Sequence, residues 1–184
     1  MGAMVGALVG SLAQSALVGL LGAILSSMLL ALVLAWLSIK YKINQIITGT
    51  VINIFATGMT SFISAKFLQT NEALNMTPMF GRVPIPLLAD IPLIGPILFN
   101  NNLFIYGTIL VCIILQISLF STRWGLRLRA VGEHPKAADT LGINVIRTRY
   151  MGTLLGGMVA GFGGAYFTIG SVGRFDEMMT AGKG

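Results

Sequence analysis

Four stretches of this chain contain no Lys, Arg, Asp or Glu: residues 1–39, 43–65, 91–122 and 150–173. A helix needs about 20 mainly apolar residues to cross the hydrocarbon layer of a bilayer, and each run is long enough. Of the 184 residues, 55% are hydrophobic and 10% charged, and the mean hydropathy is +0.84. Soluble domains carry about 25% charged residues. The sequence therefore predicts an all-α, polytopic helical membrane protein with about four complete spans.

The formal net charge is +6, a value that elsewhere points to nucleic acid or anionic lipid. Here the distribution gives a simpler reason. Eight of the twelve basic residues fall in two loops, Lys40–Lys42 and Arg123–Arg149, and excess Lys and Arg mark loops on the cytoplasmic side. No nucleic-acid partner is expected; the expected surroundings are a lipid bilayer. The first apolar run has no basic residues before it and no small-residue cleavage site at a signal-like distance, so it reads as a span rather than a secretory signal.

The chain divides as follows. Residues 1–13 read as the remnant of a preceding membrane element, with Gly2, Gly6 and Gly10 forming a small-residue stripe suited to close helix approach. Gln14–Ser15 breaks the run. Spans are expected at 15–38, 43–65, 102–121 and 150–171, alternating in direction. Residues 67–101 form an extracytoplasmic loop holding five of the six prolines; proline at alternate positions excludes a regular helix, and broken turns along the interface are expected. The last span is dense in glycine, and the repeats Gly152/Gly156 and Gly157/Gly161 argue for tight helix contacts.

Two places look functional. In the second span Thr50, Asn53, Thr57, Thr60 and Ser64 are spaced 3, 4, 3 and 4 apart, along one helical face. Polar groups within a membrane turn toward other helices or a wet cavity, and Ser and Thr also bond back to their own helix. Packing and a solute pathway through Asn53, Thr57 and Thr60 both stay open. The second place is the cytoplasmic loop 122–149, with six Lys or Arg against Glu133 and Asp139. Pro135 suits the first position of a short helix, and Gly142 the left-handed residue just past its end. Ala137, Ala138 and Leu141 then share one face, a small apolar patch shaped to enter another protein's groove.

Catalytic chemistry is not visible. His134 is the single histidine, no Cys, His and acid cluster has metal-ligand spacing, and no serine has a histidine and an acid placed for a triad. The lone Cys112 has no disulfide partner within the chain and is expected to pack. No ionisable residue lies inside a span as a proton relay would require, so the energy for transport would come from another subunit.

The segments FSTRWGLRLRAVGEHPKAADTLGINVIRTRYM and GGMVAGFGGAYFTIGSVGRFDEMMTAGKG strongly resemble the permeases of ATP-binding cassette importers. The likeness is to the branch that handles branched-chain amino acids, simple sugars and nucleosides. NQIITGTVINIFATGMTSF and IPLIGPILF are similar to the purine-nucleoside permeases that work with basic membrane lipoproteins. The resemblance covers most of residues 40–184. It implies a multi-pass subunit of the bacterial cell membrane, part of a truncated permease bundle, that does not transport alone. The implied partners are a second permease subunit, a cytoplasmic ATPase subunit and an extracytoplasmic solute-binding lipoprotein. No cofactor is expected on this chain; ATP and Mg belong to the ATPase. Importers of this kind share a loop pattern of Glu-Ala-Ala, three residues, then Gly. Ala137, Ala138 and Gly142 match it, Lys136 replaces the acid, and Glu133 is the nearby carboxylate. Together with Gly132, Pro135 and Leu141 these form the implied ATPase-coupling segment.

Three readings follow: an importer permease, a secondary carrier that coordinates an ion with neutral groups, and a membrane scaffold that transports nothing. Nucleosides are favoured as solute by resemblance, with simple sugars and branched-chain amino acids as alternatives. Phe55 and Phe62 are the aromatics available for nucleobase stacking, unless they pack or face lipid.

Overall fold

A computed structural model of the chain describes residues 1–84 and 100–177, together with Met179. The proline-rich stretch 85–99, expected as broken turns, lies outside the described residues. Seven α-helices account for most of the rest: α1 (Gly2–Ala13), α2 (Ala16–Ala35), α3 (Gln45–Ile63), α4 (Leu103–Ser121), α5 (Arg123–Glu133), α6 (Pro135–Thr140) and α7 (Val145–Ala165). Widened π-helical turns extend α2 through Lys40, α3 through Leu68 and α7 through Val172. With these extensions, α2, α3, α4 and α7 are the four helices among the described residues that are long and apolar enough to cross a membrane.

Small residues bring three helices into close contact. On α7, a Cβ at Gly161 would meet the Ala23 carbonyl at 2.8 Å and the Ile24 Cα at 2.8 Å, and Gly157 lies against Ala31. The contacts step backward along α2 as α7 advances, so the two helices run antiparallel. The first twelve-residue helix then folds back along α2. Gly2 faces Ser27 and Ala23, Gly6 faces Ala23 and Gly19, and Gly10 faces Gly19. At about 1.5 Å per residue α1 is roughly 18 Å long, too short to cross. Yet seven of its residues are buried, against one each in α3 (Thr48) and α4 (Phe104). The break at Gln14–Ser15 is real: Gln14 adopts φ 50° and Ser15 is extended.

The two ends of the bundle differ in chemistry. At one end lie the start of α2, the end of α7 and the start of α4. Asn102 Nδ2 donates to the Gly170 carbonyl at 2.7 Å, and the Thr77 amide donates to that of Gly173 at 2.8 Å. Asn75 uses its whole carboxamide there, donating to the Phe175 carbonyl (3.0 Å) and accepting from its amide (2.8 Å). Phe80, Phe162 and Tyr166 surround the buried Phe104 ring. Residues Arg82–Pro84 and Asn100–Asn102 pair as a short antiparallel ribbon, a strand pairing the helical reading did not include. At the other end lie the end of α2, the start of α3, α5, α6 and the start of α7, with eight of the twelve basic residues.

Asparagine starts three of the four spans. Asn44, Asn102 and Asn144 each accept a hydrogen bond from an amide in the first turn of α3, α4 and α7, satisfying a donor that has no partner within the helix. The cap at Asn144 corrects one boundary: α7 begins at Val145, so Arg147 and Arg149 stand on its first turns rather than in a loop. Cys112 is exposed on α4 rather than packed.

The glycine contacts make a direct test. Gly161 faces backbone that cannot move aside, whereas Gly163 on the same helix has nothing within 4 Å. Overpacking a filled site costs about 1–3 kcal/mol. Gly161→Val is expected to lower the thermal unfolding midpoint in detergent by several degrees, with Gly163→Val near the parent value.

Candidate functional site

The segment between the third and fourth spans is more ordered than a basic loop. The α4 helix ends at Thr122, whose φ of −107° and ψ of 155° turn the chain, and Thr122 Oγ1 accepts from the Gly125 amide at 3.1 Å to start α5. Gly125 lies directly under the Ser118 and Leu119 carbonyls, where no side chain fits. Along α5, Val131 is buried and Trp124 and Leu128 are half-buried, while Arg123, Arg127 and Arg129 are exposed. Trp124, Leu128 and Val131 stand at i, i+4 and i+7, the period of an amphipathic helix. That signal was present in the sequence beneath the charges. A side chain on Gly152 would meet Leu128 Cδ1 at 2.8 Å, so α5 rests closely on α7.

His134 joins α5 to α6 with φ −134° and ψ 79°, and Pro135 takes the first helical position as expected. Gly142 has φ +77°; its amide donates to the Asp139 carbonyl at 2.9 Å, and the Ile143 amide donates to that of Ala138 at 3.2 Å. These bonds satisfy carbonyls at the end of α6, and the Thr140 hydroxyl donates to that of Ala137 at 2.8 Å.

The expected apolar face needs correction. Ala138 is 2% exposed and turned inward, while Ala137 is exposed and Leu141 is 79% exposed. Ala138 therefore packs the segment, and Leu141 is its apolar tip. Ala137 and Ala138 are consecutive and stand about 100° apart on the helix, while Leu141 lies just past the end of α6, where φ −85° and ψ 7° leave the helical path. Beside the tip, a shallow groove of about 590 Å³ is lined by Pro135, Lys136, Asp139, Ile143, Val145 and Ile146. Gly132 and Glu133 are exposed at the end of α5, and Glu133 forms no ion pair among the described residues.

On α3 the polar line lies outside the packed face. Thr50, Asn53 and Thr57 are exposed, Thr60 is half-buried and Ser64 is buried. Thr50, Thr57 and Thr60 donate to carbonyls of their own helix at 2.8–2.9 Å, so these hydroxyls are satisfied locally. The Asn53 carboxamide has no partner among the described residues. Phe55 and Phe62 are exposed too, but helical spacing sets them on the far side of α3 from Asn53 and Thr57. The structure does not bring those rings beside the polar line. No group of three or more His, Cys, Asp or Glu able to hold a metal occurs among the described residues.

Comparison with known proteins joins these features. Residues 1–182 match the family described as the branched-chain amino acid transport system permease component. The nucleoside ABC transporter permease protein NupC of Lactococcus lactis is 40% identical over 148 residues, covering 80% of this chain and 46% of the relative. The guanosine ABC transporter permease protein NupQ of Bacillus subtilis is 37% identical over 150 residues, again 80% and 46%. The putative glucose ABC transporter permease protein TsgC13 of Haloferax volcanii is 32% identical over 153 residues, 82% and 45%. The chain thus spans a little under half the length of these relatives, and no solved structure matches it. Four apolar helices and a family match over nearly the whole sequence lead to one conclusion: this chain belongs to the branched-chain amino acid transport system permease family and is a multi-pass protein of the cell membrane.

Proposed function

We propose that this chain is part of the membrane permease of an ATP-binding cassette importer for nucleosides. The end carrying the basic residues faces the cytoplasm, as the excess of Lys and Arg implies, and a separate ATPase subunit docks on residues 132–142. One observation carries the docking reading: Leu141 is held 79% exposed by a turn whose own backbone bonds fix it. Burying a leucine stabilises by about 1.5–3 kcal/mol, and a partner's groove offers that burial. ATP and Mg bind the ATPase, and this chain acts by movement.

The packing suggests how force travels. Motion of α6 reaches α7 by their direct contact and through α5, whose Leu128 rests on Gly152. Close backbone contacts make α1, α2 and α7 move as one body, whereas α3 and α4 touch it over little of their length. Alternating access follows from tilting this rigid unit against the loosely attached helices. Asn53, with a free carboxamide on an uncovered face, is the residue on α3 best placed to meet a polar solute. A second permease subunit and an extracytoplasmic binding lipoprotein complete the assembly. The nucleoside assignment rests on the relatives named for nucleosides and guanosine; the relative named for glucose makes sugar the second reading.

In the assembled transporter, Leu141→Ala is expected to reduce solute-stimulated ATP hydrolysis about tenfold or more, matching a loss near 1.4 kcal/mol at the docking face. Hydrolysis at the parent rate would exclude Leu141 as the coupling tip. Separately, uptake of radiolabelled guanosine should fall at least fivefold in Asn53→Leu and stay near the parent level in Phe55→Leu. Competition by unlabelled nucleosides but not by glucose or leucine is the expected specificity; glucose competition would select the sugar reading.

A further inference from the structure

A second cleft, of about 400 Å³, opens at the basic end between the last turns of α2, the start of α3, α5 and the first turns of α7. Its floor is apolar, with Leu34, Leu128 and the buried Val131, and its rim is polar, with Ser38, Gln45 and Arg149. Its depth can be read from the neighbouring aromatics. Trp36 and Tyr41 stack edge to face with ring centres 5.1 Å apart, and Lys40 Nζ lies 5.6 Å from one ring and 5.9 Å from the other. Aromatic residues beside a lysine at the end of a span mark the level of the lipid headgroups.

The charge at this level is unbalanced. Glu133 and Asp139 are the acids near eight cations, and the ion pair found among the described residues, Arg174–Asp176, lies at the opposite end. Lys40 faces rings, and Arg129 lies 5.0 Å from the centre of the Phe120 ring. Arg149, on the cleft rim, has neither a carboxylate nor a ring among the described residues. Ser38 spends its hydroxyl proton on the Leu34 carbonyl at 2.7 Å, so the Arg149 guanidinium and the Gln45 carboxamide are the rim's free donors. Beyond the floor the apolar surface continues outward: Ile43 is 42% exposed and Ile46 79%. Donors for a phosphate set above an apolar floor that runs on into the lipid-facing surface match an amphiphile better than a water-soluble anion.

We propose that this cleft seats the headgroup of an anionic phospholipid, its phosphodiester held by Arg149 and Gln45 and an acyl chain lying over Ile43 and Ile46. Such a lipid would wedge between α2, α3, α5 and α7 and brace the segment that carries Leu141. The assignment stands apart from the identity of the transported solute.

Native mass spectrometry of the detergent-purified chain, titrated with phosphatidylglycerol or phosphatidylcholine, tests it. Phosphatidylglycerol should be retained at least fivefold more, and Arg149→Gln should remove that preference while Arg149→Lys keeps part of it. Arg174→Gln, at the other end, should change nothing. Gln45→Ala is the second variant should Arg149→Gln fold poorly, with a partial loss expected. Equal retention of both lipids, or an unchanged preference in Arg149→Gln and Gln45→Ala, would overturn the proposal. So would protection from thermal unfolding by soluble glycerol phosphate equal to that by the lipid, which would mark a free-phosphate site. Loss of ATPase binding in Arg149→Gln with lipid retention unchanged would instead make this rim a protein contact.

Discussion

Close approach of three helix backbones holds the molecule together. In hydrocarbon there is no water to expel, so apolar side chains gain little by leaving lipid for one another, and contact depends on packing and on how near the backbones can come. Gly157 and Gly161 on α7, Gly19 and Ala23 on α2, and Gly2, Gly6 and Gly10 on α1 remove the side chains that would keep these helices apart. The α7 contacts join segments more than a hundred residues apart in sequence. They also leave α7 stiffly tied to α2 where the basic segment rests on it.

The rest of the fold distributes burial around that unit. Both α3 and α4 meet it mainly near their ends: Ser64 and Leu68 are buried at one end of α3, Thr48 at the other, and α4 buries Phe104 at its start. Their exposed side chains, such as Ile54, Phe62, Ile113 and Phe120, suit lipid or further membrane helices. The matched stretch is 46% of the length of two of the relatives, so additional segments are available in those proteins to cover such faces. Uncovered faces and a stiff centre are compatible with one part of a transporter moving against another.

Several features are legible in the sequence. The uncharged runs coincide with the four helices that are long and apolar enough to cross a membrane among the described residues, the small-residue stripe on α1 meets α2, and Pro135 and Gly142 bracket α6 with the conformations their chemistry requires. Other features were visible but masked. The period of Trp124, Leu128 and Val131 marks α5, yet the arginines between them made the stretch look like loop. Asn44, Asn102 and Asn144 announce helix starts that hydropathy alone places several residues late at α7. One glycine repeat misled in part: Gly156 has no neighbour within 4 Å, although Gly152 meets Leu128.

By itself the sequence determined that this is a helical membrane protein, where its basic residues gather and which permease family it resembles, because hydrophobic length, charge and turn chemistry are local properties written residue by residue. Only the tertiary structure decided that α1 folds back as a buried half-length helix, that Ala138 turns inward while Leu141 stands out, and that Arg149 rims a cleft with no carboxylate beside it. Burial depends on which distant helix arrives at a given face, and a periodic pattern shows that a face exists without showing what covers it.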